Sequence, residues 1–455
     1  MPRQKFIIYL VTAISLLGYT YLSYAINRYE TVPLFLAYGI LFLIYLWIVK
    51  EVSDEQVKFW IVAAFVFRIS LLAAVPSLSD DIYRFIWDGR LLASGFHPFA
   101  ELPVHYLKSG ISESGIDKAL FDKLNSPEYF SIYPPFAQFI FWLSVKLSPN
   151  SILGSIVVMR GLVIAAEMGS IFVMRSLLKK FRLPEKNILF YALNPLVVVE
   201  LTGNLHFEAF LIFFLLLSIF FIFDERVIKA ALSFSVAVCA KLLPLIFIPL
   251  LVLRLGWRKA FQFCVIVTLS CVLMLLPLWA TDITTGFGQS LGLYFRKFEF
   301  NASLYYLVRE YGFWNKGFNI IQSTGWKLGL VSGILIVLVA VGSALMLNDR
   351  SVNSNKLSTI DNRLLTNFPA LLWTLCLYFM FTTTLHPWYV TTLLALSVFT
   401  RFRFAIVWTG LIFLTYAGYT QEGFSECLSI TLIEYLLVFG YLVYELLWKK
   451  EQQPA

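Results

Sequence analysis

Runs of about 20 mainly apolar residues, the length that crosses a bilayer as a helix, recur along almost the whole chain. They start at Phe6, Val32, Val57, Pro134, Ile152, Asn187, Phe207, Val227, Ala260, Trp326, Asn367, His386, Phe404 and Leu428. A sequence of this kind has few ways to fold, because backbone polar groups in lipid must be satisfied inside the segment itself. The expected class is an all-α polytopic membrane protein with roughly 11–14 transmembrane or re-entrant helices. Composition agrees: of 455 residues, 59% are apolar and 14% charged, against about half and a quarter in a soluble domain. Soluble multidomain enzymes are thereby excluded.

Charge sets the expected orientation. The excess of 36 Lys+Arg over 28 Asp+Glu is concentrated in short clusters at residues 50–58, 175–186, 226–229, 254–259, 350–356, 401–403 and 449–450, as the positive-inside rule places cytoplasmic loops. No nucleic-acid partner is expected. With a cytoplasmic N-terminus, three spans deliver residues 77–131 to the outer face as the longest polar insertion, and residues 281–325 form a second. This arrangement requires that 134–147 not cross fully and that 227–253 turn back as a hairpin. The chain reads as one membrane domain, with residues 326–455 as more variable C-terminal helices. The first run, from Phe6 to Ile26, is longer than a signal-peptide core and reads as a retained anchor. Five cysteines without metal or disulfide spacing read as buried thiols.

Chemically capable residues are densest between Ser77 and Phe99. A helix starting near Ser79 places Asp81, Arg84 and Asp88 on one face and Ile82, Phe85 and Ile86 on another, an amphipathic helix at the membrane surface. Ser-Asp-Asp is also an ordinary helix cap. At a membrane boundary, however, paired carboxylates can take a proton from a hydroxyl. Tyr133, Pro134, Pro135 and Gln138 open the next apolar run as a helix start. Asn194 and Pro195 kink a later span, which ends in Glu200, Asn204, His206 and Glu208, a polar density seldom used for packing alone.

Charges inside spans are costly and therefore informative. Arg160 and Glu167 lie two turns apart on one helical face and can pair with each other. Arg68 has no partner apparent from sequence. Lys241, ahead of the helix-breaking Pro244, reads as an anion site suited to a lipid phosphate, with snorkelling to the interface as the plainer account. His386, Trp388 and Tyr389 form an aromatic group at a span end, either a membrane-interface belt or a platform for sugar rings. Arg296, Lys297 and Arg309 are further cations in the second insertion. Asn301-Ala-Ser303 is a glycosylation sequon.

The ordered set SDDIYRFIWDG, GFHPF, YPPFAQ, NPLVVVELTGNLHFEA, AKLLP and HPWY, from about Asp80 to Tyr389, resembles the GT-C membrane glycosyltransferases. The likeness is strongest to the bacterial polyprenyl-phosphate-mannose-dependent mannosyltransferases and to relatives acting on GPI precursors. The resemblance implies a GT-C fold and an integral membrane hexosyltransferase. It would move a hexose, mannose on this likeness, from a polyprenyl-phosphate donor to a hydroxyl of a glycan or lipid acceptor, with inversion. The protein would sit among membrane lipids of the bacterial inner membrane with its site facing outward. Asp80 or Asp81 would be the general base. Arg84, Asp88, His97, Tyr133, Asn204, His206, Glu208, Lys241, His386, Trp388 and Tyr389 would contact substrate, with Lys241 at the donor phosphate. Three spans precede the acidic pair here, where many members have one.

No cofactor is expected, since the phosphate ester already carries its leaving group. Asp80, Asp81 and Glu208 offer hard oxygen ligands to a divalent cation, but one base suffices. The competing readings are a flippase for a lipid-linked sugar, expected to show repeats and midplane polar residues, and an O-antigen-type ligase or polymerase with its key residues in a late outer loop.

Overall fold

The computed structural model describes residues 2–108, 115–279, 288, 292, 298–353 and 359–447. Among them, extended structure is limited to a hairpin pairing Tyr419–Thr420 with Gly423–Phe424 and a single bridge from Phe300 to Thr384. Helices satisfy their own amides, so this is the expected outcome for so apolar a chain. Among the described residues six helices are long and apolar enough to cross a membrane: Lys5–Ala25, Thr31–Glu51, Ile152–Lys180, Trp257–Leu278, Ile321–Met346 and Leu428–Leu447. A seventh apolar path is broken, with Val197–Gly203 and Glu208–Phe223 meeting at 108°. Five shorter apolar helices fill in around them: Pro135–Leu147, Val227–Ala240, Leu243–Leu255, Phe368–Phe381 and Phe404–Gly418. The protein is an all-α polytopic membrane protein.

Side-chain contacts sort the helix ends into two groups. At one end of the bundle, Arg28, after the first helix, meets Asp80, after the third. Leu78 donates its amide to Asn204 at 3.3 Å, and Lys241 pairs with Glu208. At the other end lie the ion pairs Arg175–Glu185 at 2.5 Å, Lys180–Asp224 and Lys259–Glu225 at 3.1 Å. Most basic clusters collect at this second end. Residues 227–255 leave that end, turn at Lys241 and return, which is the hairpin the charge pattern demands. Helix Pro135–Leu147, 13 residues long, reaches only about 20 Å, short of the roughly 30 Å hydrocarbon core. It packs along Asp81–Ala93, with Lys146 Nζ on the carbonyl of Ala93 at 3.2 Å.

Two expectations are corrected. Arg160 and Glu167 do not pair. Glu167 takes Arg68 from another helix at 2.9 Å, both side chains fully buried, and also accepts the Thr202 hydroxyl. Seven residues along one helix span about 10 Å of rise, so each charge finds a nearer partner across the bundle. Helix Asp81–Ala93 also does not lie with its polar face in water. From Arg84 to Leu91 every residue is buried, because the segment 126–138 folds over that face.

Candidate functional site

The site is built where several helices end together, and the chain between Asn194 and Glu208 shapes it. Asn194 interrupts the helix, holding Thr409 Oγ1 with its amide at 2.9 Å and accepting the Leu196 amide at 3.0 Å. Val197–Gly203 then continues as a π-helical turn, a wide geometry often found at working sites. Leu205 adopts a left-handed conformation at φ 62°, costly for a branched side chain, and the path bends there. Arg160 offsets this by capping the freed carbonyls, donating to Thr202 at 2.8 Å, Gly203 at 2.8 Å and Leu72 at 2.9 Å. The result projects His206 and Glu208 into one corner.

His206 stacks on Trp388 with ring centres 3.6 Å apart and planes at 14°. Its Nε2 lies 3.3 Å from the Glu200 carboxylate, without the alignment of a hydrogen bond. Glu200 accepts the Tyr416 hydroxyl at 2.7 Å and the Asn204 amide at 3.3 Å. Beside this group Glu208 pairs with Lys241, whose ammonium also lies 4.1 Å from the centre of the Tyr389 ring. The Glu208 Oε2 is buried without a hydrogen-bond partner among the described residues. His386 completes the aromatic wall, 4.5 Å from both Trp388 and Phe300. Burial, with the charges of Lys241 and His206 acting in the same sense, pushes its pKa from 6.5 down to about 3. The second polar insertion is fastened here by Phe300, which donates to Thr383 at 3.1 Å and accepts from Leu385 at 2.8 Å.

The acidic pair borders this corner. Asp80 precedes helix Asp81–Ala93 and is held by Arg28, whose guanidinium also sits 4.9 Å from the centre of the Tyr419 ring. Burial pushes the Tyr419 hydroxyl up to about 12, against the pull of Arg28. Asp81 accepts the Asn125 amide at 2.7 Å and lies within electrostatic reach of His206. One corner thus collects Asp80, Asp81, Asn204, His206, Glu208, Lys241, His386, Trp388 and Tyr389.

Four of the residues picked out in the sequence lie elsewhere. Arg84 and Asp88 form a buried pair at 2.8 Å. Arg84 also donates to the Tyr129 carbonyl at 2.9 Å, and Asp88 binds Ser131 and Gln138, the latter at 2.9 Å. This network staples the outer insertion to the helix. Tyr133 packs edge-on against Phe85 and Phe141. His97 follows the far end of that helix, about 20 Å along it from Asp81. Of the cations in the second insertion, Arg296 and Lys297 lie outside the described residues, and Arg309 is engaged by Glu299 and Glu310. Asn301 of the sequon is fully buried and donates to Glu434. Among the described residues no three metal-capable side chains converge.

Arg28, Asn125, Tyr416 and Tyr419 are residues that reading the sequence did not single out. Arg28 alone carried a signal: a cation in a short loop at the end where positive charge is otherwise sparse. The tyrosines lie in a late apolar stretch and look like any interface aromatics.

Residues 11–256 match the family model described as Alpha-(1->6)-mannopyranosyltransferase, N-terminal domain. The chain belongs to that family. It is accordingly a membrane glycosyltransferase that transfers mannosyl groups, which removes the flippase reading. No curated protein matches the chain. The matched region of this mannosyltransferase carries Arg28, the acidic pair, His206, Glu208 and Lys241, while the aromatic wall and Tyr416 come from beyond it.

Proposed function

We propose that the protein transfers mannose from a polyprenyl-phosphate donor to a hydroxyl of a glycan or lipid acceptor on the outward face of the membrane, with inversion at the anomeric carbon. The observation that carries this reading is the convergence, in one corner, of carboxylates, an ammonium and a stacked aromatic wall. A phosphate-linked sugar in lipid needs these three things: a base for the incoming hydroxyl, a cation for the departing phosphate, and an apolar, ring-stacking surface.

Asp81 is the base in this scheme, since Asp80 is engaged by Arg28 whereas Asp81, among the described residues, accepts a neutral amide from Asn125. The acceptor oxygen attacks C1 from the face opposite the phosphate and its proton passes to the Asp81 carboxylate. The C1–O bond to phosphate breaks, and its electron pair stays on the phosphate oxygen. Lys241 exchanges part of its contact with Glu208 for that oxygen. Trp388, stacked with both His206 and His386, anchors the aromatic wall against which the sugar or the first isoprene units rest. The outward orientation is supported by the charge asymmetry of the bundle: residues 175–186, 226–229, 254–259 and 401–403 lie at the end away from the site.

The test uses the full chain in proteoliposomes with radiolabelled mannose supplied on polyprenyl phosphate or on a nucleotide, and octyl α-mannoside as acceptor. Label should reach the mannoside from the lipid donor and not from the nucleotide, and the new linkage should have the anomeric configuration opposite to the donor's. Transfer from the nucleotide alone, or retention, overturns the proposal.

A further inference from the structure

Beside Asp80 a cavity of about 800 Å³ opens between the loop after the first helix, the loop after the third and the late hairpin. Nothing in the scheme above uses it. Its volume is at the upper end of the range for sites that enclose a small organic ligand. Its wall includes Asn27, Arg28, Tyr29, Asp80, Gln421 and Glu422. This surface is rich in hydrogen-bonding groups and offers the exposed ring of Tyr29 for stacking.

We infer that this cavity binds the acceptor as a neutral, hydroxyl-rich oligosaccharide end, and that the hairpin 419–424 is an acceptor-recognition element. The inference rests on the mannosyl-transfer scheme above and assigns its second substrate. Three features select this ligand. Arg28 is the sole cation among the lining residues, and Asp80 already neutralises it, so a phosphate finds no free positive charge here. Ile26, Val75 and Pro76 add a short apolar stretch to the same wall, which suits the C–H face of a sugar ring beside its hydroxyls. Asp80 lines the cavity directly before Asp81 in the chain, so a glycan seated here brings its terminal hydroxyl toward the carboxylates. The hairpin is placed for this by Tyr419, whose ring lies under Arg28, and by Phe424, which stacks on Phe300 at 4.9 Å. One element thus touches both halves of the site.

The test substitutes the exposed hairpin tip, Gln421→Ala and Glu422→Gln, and the exposed Tyr29→Ala, positions where little packing is lost. Two readouts are taken on full-length protein. In transfer assays with octyl α-mannobioside as acceptor, each substitution should raise the acceptor KM about five- to tenfold, the size of one lost polar or stacking contact, and leave the donor KM within twofold. Direct binding of the same mannobioside without donor should weaken in parallel. A rise in donor KM, or unchanged acceptor KM and binding in all three variants, overturns the inference. If the unsubstituted protein binds the mannobioside and loses it on Glu422→Gln, yet transfers no mannose from the lipid donor, the donor scheme fails while the cavity assignment stands. A protein that transfers mannose but binds the mannobioside equally in all variants has the opposite meaning.

Discussion

Two of the carboxylate–cation pairs inside this bundle are built to different ends. Arg68 and Glu167 are both fully buried. Arg68 donates further to the carbonyls of Ala64 at 3.0 Å and Ala192 at 2.8 Å, and Glu167 also takes the Thr202 hydroxyl. That pair is closed to any ligand, although Arg68 Nε has no hydrogen-bond partner among the described residues. Glu208 and Lys241 are matched in charge but not in surroundings. The lysine side chain is 29% exposed, it leans on Tyr389, and one Glu208 oxygen has no hydrogen-bond partner among the described residues. A closed pair ties helices together and has nothing to offer a ligand, whereas an open one has capacity in reserve for an incoming anion. The difference lies in the exposure of the cation, not in charge or in the number of unpaired atoms.

The comparison breaks first on stability. Glu167→Ala strands a buried guanidinium and should cost about 3–5 kcal/mol, seen as a large drop in thermal unfolding temperature in detergent and in membrane yield. Replacing Arg68 and Glu167 together by leucines should recover much of that loss. An equally large loss on Lys241→Ala would erase the distinction between the pairs.

The same contrast shows what was legible in the sequence. Long uniform apolar runs such as Thr31–Glu51 and Ile152–Lys180 were legible, because span length and hydropathy are local properties. The acidic pair, His206, Glu208 and Lys241 were legible as polar residues where lipid makes them expensive. Partners were not. Arg68 and Glu167 are 99 residues apart in sequence, and helical spacing pointed Glu167 at Arg160 instead. The polar face of helix Asp81–Ala93 looked solvated only because periodicity says nothing about a later segment that covers it. Tyr416 and Tyr419 reach the site through tertiary packing alone, with no local pattern to mark them.

The next effect sharpens the open pair. Lys241→Ala should raise the KM for a polyprenyl-phosphate donor about ten- to a hundredfold, the worth of a charged hydrogen bond. The unfolding temperature should fall by less than in the Glu167→Ala variant, and Lys241→Arg should restore part of the affinity. An unchanged donor KM would return Lys241 to the role of a snorkelling boundary residue.

The smallest effect concerns the aromatic wall. Burial holds the His386 pKa at about 3, below its ordinary 6.5, so the unfolded chain binds this proton more readily than the folded one. Its contribution to stability is therefore present above about pH 6.5 and is lost progressively as pH falls toward 3. His386→Phe, which keeps a stacking ring, should flatten that part of the stability–pH curve. An unaltered acid slope would mean that the imidazole already exchanges protons freely in the folded protein.

The assignment of proton abstraction to Asp81 is tested most directly by comparing Asp80→Asn with Asp81→Asn in proteoliposomes supplied with labelled polyprenyl-phosphate mannose and octyl α-mannoside. Asp81→Asn should lower the transfer rate about a hundredfold or more without changing the unfolding temperature, and Asp80→Asn should keep a larger share of activity. Undiminished transfer by the Asp81 variant would contradict the account.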